Sequence, residues 1–224
     1  MPNPHDLAAR GLAFPGTGPV PHIVGIGGTP RPGSSSEAAL RYALRHAEFL
    51  GATTELIAGP LLDLPHYDSS TEHRTMSAKR LVQSLRRADG IIISTPAYHG
   101  GLSGMIKNAL DYVEDLRGDE RVYLDGRSVG IIVSAYGAQA MGTTIIGVRS
   151  IAHALRGWPT PFAAGINAAV SGFDKGRPTT DEVSVQIQTV ARQVVQFAAM
   201  TLAMTECEDM PATAYAARSL GPIR

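Results

Sequence analysis

The sequence of 224 residues has one cysteine, Cys207, and no apolar run as long as a membrane-spanning helix requires. A single cysteine excludes an intrachain disulfide and a four-cysteine metal site, and a chain without disulfides suits a reducing compartment. The first 21 residues carry five prolines and lack the continuous apolar core of a signal peptide. We therefore predict a cytoplasmic protein with no membrane partner.

Charge of one sign is also missing, because twenty Lys and Arg residues balance twenty Asp and Glu residues. No field of one sign is available to attract nucleic acid or an anionic membrane. Apolar residues make up 44% of the chain and charged residues 18%, which excludes a disordered chain. The composition indicates one globular domain, predicted at 22–205, between a flexible lead-in (1–21) and a loose tail (206–224).

Short apolar runs bounded by Gly and Pro alternate with helical patterns along this domain. Because buried strands are continuous β-branched runs and helices repeat every 3.6 residues, the pattern predicts five strands and five helices. The predicted strands are 22–26, 53–58, 90–94, 128–134 and 159–165. Such alternation is typical of an α/β doubly wound sheet with helices on both faces, which binds ligands beyond the carboxyl ends of its strands.

The loop after the first strand, 27–36, leads directly into a helix N-terminus. Free backbone amides and the positive end of the helix dipole favour an anion there. Thr29, Ser34 and Ser36 add hydroxyl groups, and Arg31 adds a planar cation suited to phosphate oxygens. We predict a phosphate site; the alternative is a serine-rich helix cap with a surface arginine.

Three motifs that would indicate other ligands or chemistry are missing. The dinucleotide pattern GxGxxG fits Gly25 and Gly27 but has Pro30 at its third position. The P-loop pattern fits Gly28 and Gly33, but Ser34 stands where its lysine is required. No GxSxG elbow is present, which argues against an α/β-hydrolase. A loop with hydroxyls and one arginine suits a single phosphomonoester, such as that of flavin mononucleotide (FMN).

The loops after the third and fourth strands are also glycine-bearing. The first of them, 94–104, has three glycines that allow close approach to a flat ligand, and Tyr98 or His99 would flank it. The other, 134–142, would close over the opposite edge of the same ligand. The alternatives are a half-buried loop aromatic for Tyr98 and a solvated side chain for His99.

Two of these loops carry a family resemblance. Gly28-Thr29-Pro30-Arg31 with Ser34 and Ser36 resembles the phosphate loop of the NAD(P)H-dependent FMN reductases. The segment 94–100, followed by 103–111, resembles that family's T-P-x-Y-x-x-x-x-x-G-x-x-K-N-x-L-D motif. The resemblance, over about 23–197, implies a flavodoxin-like fold with a five-stranded parallel sheet in the order 2-1-3-4-5. It also implies FMN as cofactor and reduced nicotinamide, NADH or NADPH, as hydride donor.

The resemblance also implies the site residues. Those predicted to hold the FMN phosphate are Thr29, Arg31, Ser34 and Ser36. Those predicted to line the isoalloxazine ring are Pro96, Ala97, Tyr98, His99 and Gly100 on one side and Ser134, Tyr136 and Gly137 on the other. No catalytic side chain is expected, because the flavin itself carries the electron chemistry.

The activity predicted from this resemblance is an FMN reductase, with reduced FMN supplied to a partner monooxygenase as one outcome. The alternatives are a reductase that keeps its FMN and reduces quinones or azo dyes, and a flavodoxin-like electron carrier without enzymatic activity. Zero net charge argues against a carrier. The resemblance implies a homodimer or homotetramer built from helices of this kind, and Tyr112 and Met105 lie off the apolar stripe of the helix predicted at 104–116.

Several other polar residues are interpreted as surface groups. His66, Asp68 and His73 have irregular spacing in a loop, so we predict no metal site. Lys107 and Asp111 have the spacing of a helical salt bridge. The acidic stretch from Asp115 to Glu120 is interpreted as a solvated helix end.

Overall fold

The strands and helices follow the predicted alternation over residues 18–208, the part of the chain that a computed structural model describes. The strands are β1 (His22–Gly27), β2 (Thr53–Ala58), β3 (Gly90–Tyr98), β4 (Gly101–Leu102), β5 (Ser128–Ala135), β6 (Trp158–Pro159), β7 (Ala164–Asn167), β8 (Phe173–Asp174) and β9 (Arg177–Pro178). The helices are α1 (Ser35–Phe49), α2 (Met76–Arg87), α3 (Gly104–Asp111), α4 (Ala138–Ala154) and α5 (Asp181–Glu208), with 3-10 helices at Gly59–Leu62 and Tyr112–Leu116. The predictions for 1–17 and 209–224 lie outside the described residues.

The main sheet has the parallel order β2-β1-β3-β5-β6, and β7 also pairs with β5. The strands β6 and β7 together correspond to the predicted fifth strand. With this correspondence the order is 2-1-3-4-5, and the predicted flavodoxin-like fold is confirmed. The order reverses between β1 and β3, where such sheets bind their ligands.

The predicted fifth strand, 159–165, is wrong as one continuous element. It is split into β6 and β7, which pair with the beginning and the end of β5. Between them Pro161 has no N–H to donate to a ladder, and the N–H of Phe162 donates to Gln193 Oε1 at 2.9 Å. The chain therefore leaves the sheet edge for a few residues before it returns.

The segment 95–98 is strand rather than loop, as a hairpin extends β3. The strands β3 and β4 pair antiparallel around a two-residue turn, in which His99 and Gly100 both have positive φ, at 52° and 83°. Such turns match the twist of the flanking strands. The predicted helix 104–116 is also divided, into α3 and a 3-10 helix that begins at Tyr112.

Two hydrophobic cores lie on opposite faces of the sheet, because successive strand residues point to opposite sides. On β3, Ile91 and Ile93 pack in the core beneath α2 and α3, whereas Ile92 packs in the core beneath α1 and α5. The helix α5 lies so close to β5 that a Cβ at Gly130 would stand 2.6 Å from Val190. Within residues 18–208, no helix combines the length and apolarity needed to cross a membrane.

Candidate functional site

The carboxyl ends of β1, β3 and β5 lie side by side, which brings the three glycine-bearing loops together. The sheet register places Gly27 next to Ser94, and Pro96 next to Ser134. The N–H of Gly28 donates to the Ser94 carbonyl at 3.2 Å. The sequence-predicted site residues therefore share one edge of the sheet, at the point where the strand order reverses.

The phosphate loop, defined here as residues 28–36, ends in the capped N-terminus of α1. Ser34 is the N-cap, and its Oγ accepts the N–H of Glu37 at 3.3 Å and lies 3.3 Å from Ser36 Oγ. Thr29 Oγ1 donates to the Arg31 carbonyl at 3.0 Å, which holds the turn. The N–H groups of Ser35 and Ser36 have no partner within the helix, as at any helix start. The loop thus offers amides and hydroxyls to an anion.

Arg31 projects from the phosphate loop. Its side chain is exposed and makes no hydrogen bond or ion pair with any residue from 18 to 208. The guanidinium therefore lies at the rim of the loop with all of its donors available. This placement is compatible with the predicted phosphate contact.

Glu37 is a buried residue of this region that the sequence did not single out. It is 8% exposed, accepts the Gly33 N–H at 3.3 Å and pairs with Arg41 at 2.7 Å. An acid in the first turn of a helix is favoured by the helix dipole, which is the signal available in the sequence. Arg41 offsets the negative charge that Glu37 places beside the phosphate loop.

The hairpin β3–β4 supplies the residues predicted for one side of a flavin ring. Pro96 and Ala97 are half-buried, whereas Tyr98 is 57% exposed and His99 is also exposed. The hairpin tip lies against α4, since a Cβ at Gly100 would stand 3.2 Å from Thr143 Oγ1. The backbone edge of the hairpin and its two ring side chains are therefore accessible.

The loop after β5 supplies the residues predicted for the other side. Ser134 is 6% exposed, and its Oγ has no hydrogen-bond partner among residues 18–208. Tyr136 is 81% exposed, and Gly137 is the N-cap of α4, which no side chain caps. A buried hydroxyl and the first backbone N–H groups of an uncapped helix are hydrogen-bond donors, and the polar edge of a ligand would accept from both.

A polar cluster fixes the long loop between the first 3-10 helix and α2. Arg74 makes two hydrogen bonds to the Asp115 carboxylate, at 2.7 and 2.8 Å, and its guanidinium lies 5.0 Å from the centre of the Tyr67 ring. The hydrogen bonds from Arg74 hold the pKa of Asp115 below its usual value. The interpretation of Asp115 as a solvated residue is therefore wrong, because its carboxylate accepts hydrogen bonds from Arg74, which is distant in sequence.

Tyr112 belongs to the same cluster. It is 3% exposed, donates to the Pro65 carbonyl at 3.0 Å and packs edge-on against Tyr67. The sequence placed Tyr112 off the apolar stripe as a candidate for subunit contact, but it packs within its own chain. The folded-back loop covers it.

The remaining polar residues lie at the surface. His66, Asp68 and His73 are all exposed, and Asp68 accepts hydrogen bonds from Ser70. Between residues 18 and 205, no three His, Cys, Asp or Glu side chains are grouped in a way that would hold a metal ion. The predicted salt bridge between Lys107 and Asp111 is present at 2.6 Å and is exposed.

A doubly wound parallel sheet with glycine-bearing loops after β1, β3 and β5, at the point where the strand order reverses, has the architecture of a flavodoxin-like fold. The family model for NADPH-dependent FMN reductases matches residues 21–170. The chain belongs to this family, as its loop motifs indicated.

Relatives and solved structures agree with this family. An NADPH azoreductase from a Bacillus strain is 34% identical over 92 residues, which is 41% of this chain and 49% of that protein. A Staphylococcus aureus FMN-dependent NADPH-azoreductase is 34% identical over 113 residues, 48% of this chain and 60% of the relative. The chain thus spans about half to three fifths of these relatives.

The fold resembles that of a flavoenzyme NAD(P)H:acceptor oxidoreductase from Paracoccus denitrificans, with a TM-score of 0.66 and 21% identity over 80% of this chain and 97% of the other. An NADH:FMN oxidoreductase gives a TM-score of 0.59 and 20% identity over 80% of this chain and 89% of the other. At such identities, the structural comparisons support the flavodoxin-like fold.

Proposed function

We propose that this protein is an NAD(P)H-dependent FMN reductase. The observation that carries the proposal is the convergence of the phosphate loop, which opens α1, with two ring-facing loops at one edge of the sheet. Family membership supplies the reaction class. Bound FMN would accept a hydride from reduced nicotinamide at its N5 atom and pass electrons to an acceptor.

The chain's own residues supply binding and orientation. In this proposal the hydroxyls of Thr29, Ser34 and Ser36 and the Arg31 guanidinium hold the phosphate. These groups lie at a helix N-terminus, where the backbone dipoles favour a dianion. In this proposal Arg31 would contact only the phosphate and take no part in hydride transfer.

The ring lies in this proposal against the backbone of 96–100 on one side and against Ser134, Tyr136 and Gly137 on the other. The Ser134 Oγ, which is buried without a partner among the described residues, and the start of α4, which no side chain caps, would donate to the polar edge of the ring. The exposed rings of Tyr98 and Tyr136 flank the face that a nicotinamide or an acceptor approaches.

An azo compound is the acceptor that the relatives favour, because two of them are named azoreductases. The supply of reduced FMN to a monooxygenase is the alternative fate of the electrons. A homodimer or homotetramer and a cytoplasmic location stay predictions. Met105 of α3, like Tyr112, packs against the core of its own chain, so the predicted oligomer is supported by the family resemblance and not by these two side chains.

The substitution Arg31→Ala tests the phosphate assignment. A charge-assisted hydrogen bond contributes roughly 1.5–3 kcal/mol, so the FMN dissociation constant should rise on the order of 10- to 100-fold. Turnover with NAD(P)H, measured with FMN or an azo dye as acceptor, should largely recover at saturating FMN. The wild type should prefer FMN to riboflavin, which lacks the phosphate, and the variant should nearly lose that preference.

Arg80→Ala is the matched control, because Arg80 lies on α2 and pairs with Glu55 at 3.3 Å. It should leave both flavin affinities unchanged. If Arg31→Ala keeps full discrimination against riboflavin, the phosphate assignment is wrong. If the wild type binds FMN but does not oxidise NADH or NADPH, the protein is a carrier and the reductase proposal fails.

A further inference from the structure

A basic groove of about 350 Å³ lies away from the three loops, between the second half of α1 and the β8–β9 hairpin. Its lining residues are Tyr42, Arg45, His46, Phe49 and Arg177. Arg45 follows Ser36 by nine residues along α1, or roughly 14 Å at 1.5 Å per residue. Because α1 runs antiparallel to β1, its second half lies towards the amino edge of the sheet, away from the phosphate loop.

The basic groove concentrates cations that have no carboxylate partner. Arg45 and Arg177 line it. Burial lowers the pKa of the His46 imidazole, and the positive charge of Arg192 on α5 lowers it further. Among the side chains described, those of residues 18–205, no carboxylate oxygen lies within 4.0 Å of a nitrogen of these three arginines. Asp174, which pairs with Arg177 in the hairpin ladder, makes no ion pair with it.

Most of the other arginines of the fold are paired. Arg80 and Arg87 both reach Glu55, at 3.3 and 3.4 Å, and Arg86 reaches Asp119 at 2.6 Å. In a chain of zero net charge, three unpaired guanidinium groups on neighbouring elements are a local excess of positive charge. Planar guanidinium groups match phosphate oxygens in geometry and charge.

The walls of the basic groove are held in place by the fold. The Tyr42 hydroxyl accepts a hydrogen bond from Gln188 Nε2 at 2.8 Å and also contacts Ser184 Oγ, so α5 fixes the ring. The Arg45 guanidinium lies 5.7 Å from the Tyr42 ring centre, and its Nη2 donates to the Gly176 carbonyl. The site is therefore preorganised, which reduces the ordering cost of binding.

An aromatic platform stands beside the arginines. The His46 and Phe49 rings are stacked, with centres 5.9 Å apart and planes inclined by 21°. Phe49 is 79% exposed, although it is the last residue of a helix whose other large apolar side chains are mostly buried. A flat, accessible aromatic surface next to guanidinium groups suits a ligand that combines an aromatic ring with phosphate.

We propose that the basic groove is a second ligand site, which binds a nucleoside phosphate independently of the flavin. Arg45 and Arg177 bind the phosphate groups, and the base stacks on the His46–Phe49 pair. The groove volume lies within the range of small-molecule sites. Because the site lies away from the flavin loops, its occupant does not take part in hydride transfer.

The test is calorimetric titration of the full chain, saturated with FMN, with ADP, adenosine or pyrophosphate. We expect ADP to bind more tightly than either fragment. The double variant Arg45→Gln, Arg177→Gln should weaken ADP and pyrophosphate binding at least 10-fold, as expected when charge-assisted hydrogen bonds are lost. Phe49→Ala should weaken ADP binding about 3- to 10-fold and leave pyrophosphate unchanged, because it removes only the stacking surface.

The matched control is the double variant Arg80→Gln, Arg87→Gln, which removes the same charge from α2 and should leave ADP affinity unchanged. Equal losses in both double variants would show a bulk charge effect and overturn the proposal. Undiminished ADP binding in the groove variant would also overturn it, as would binding of pyrophosphate as tight as that of ADP. The same titrations without FMN give the same ranking if the site is independent, so a failed flavin assignment does not affect them.

Discussion

The two halves of the candidate flavin site differ in how the protein itself satisfies their polar groups. At the phosphate loop, Ser34 caps α1, and the buried Ser94 Oγ donates to the Ser36 carbonyl at 2.7 Å. At the ring side, Ser134 Oγ has no protein partner and Gly137 leaves α4 without a side-chain cap. The polar groups at the start of α1 are thus partly satisfied by the protein, whereas the ring side has a buried hydroxyl without a protein partner. Substitutions of the first-half groups that the protein itself satisfies should therefore affect stability, whereas substitutions of the ring-side donors without a protein partner should affect binding.

The largest difference in stability is expected between two glycine-to-alanine substitutions, one in each half. A Cβ at Gly27 would lie 2.5 Å from the Ser94 carbonyl oxygen, whereas a Cβ at Gly137 would meet nothing within 4 Å. Gly27→Ala should lower the free energy of unfolding by about 3 kcal/mol, because the core has no room to adjust. Gly137→Ala should change it by less than about 0.5 kcal/mol.

Urea unfolding of both variants checks this expectation. Equal stability losses would show that the two halves are equally constrained and would contradict the expected difference between them. A large loss for Gly137→Ala alone would reverse it.

The sequence predicts most of what positions the site. The runs at 22–26, 90–94 and 128–134 are apolar and β-branched, so the parallel sheet and the loops at its carboxyl edge follow from them. The split of the fifth strand follows from pairing with β5 and from the Gln193 side chain of α5, which are contacts distant in sequence. Local patterns do not contain such contacts.

The same limit applies to single residues. Tyr112 and Asp115 look solvent-facing on their own helix, but the loop that carries Tyr67 and Arg74 folds over them from some 40 residues away. Glu37 is different, because its place in the first turn of α1 is visible in the sequence. Its pairing with Arg41 at the i,i+4 spacing is also predictable. A pattern of phosphate-binding side chains does not include Glu37, because the usual phosphate ligands are hydroxyl and guanidinium groups.

The ion pair between Arg74 and Asp115, which lies outside both halves, gives the next largest effect. Asp115→Asn should lower the free energy of unfolding at pH 7 by about 2 kcal/mol, since it removes the charge from two hydrogen bonds to Arg74. The pKa of Asp115 is lowered by Arg74 in the folded state. The pair therefore stabilises the fold above the ordinary carboxyl pKa, and this contribution is lost as the pH falls through the lowered value.

Urea unfolding at pH 7, 4 and 3 tests both statements. The gap between wild type and Asp115→Asn should narrow towards pH 3. Asp119→Asn is the control, because its partner Arg86 is more exposed and such pairs contribute less than about 1 kcal/mol. A gap that stays constant with pH would mean that the Asp115 charge does not stabilise the fold.

The smallest effects come from removing one hydroxyl in each half. This pair of substitutions is the most specific test of the difference between the two halves. Ser94→Ala removes a buried, satisfied hydrogen bond to the Ser36 carbonyl and should cost about 1 kcal/mol of stability. Ser134→Ala removes a buried hydroxyl without a protein partner, so stability without ligand should be unchanged or higher. Its FMN affinity should instead fall roughly 2- to 10-fold, as expected for the loss of one neutral hydrogen bond. Urea unfolding and FMN titration of both variants provide the four values. If Ser134→Ala destabilises the flavin-free protein and leaves FMN affinity intact, the hydroxyl serves the fold and Ser134 is not a ring contact.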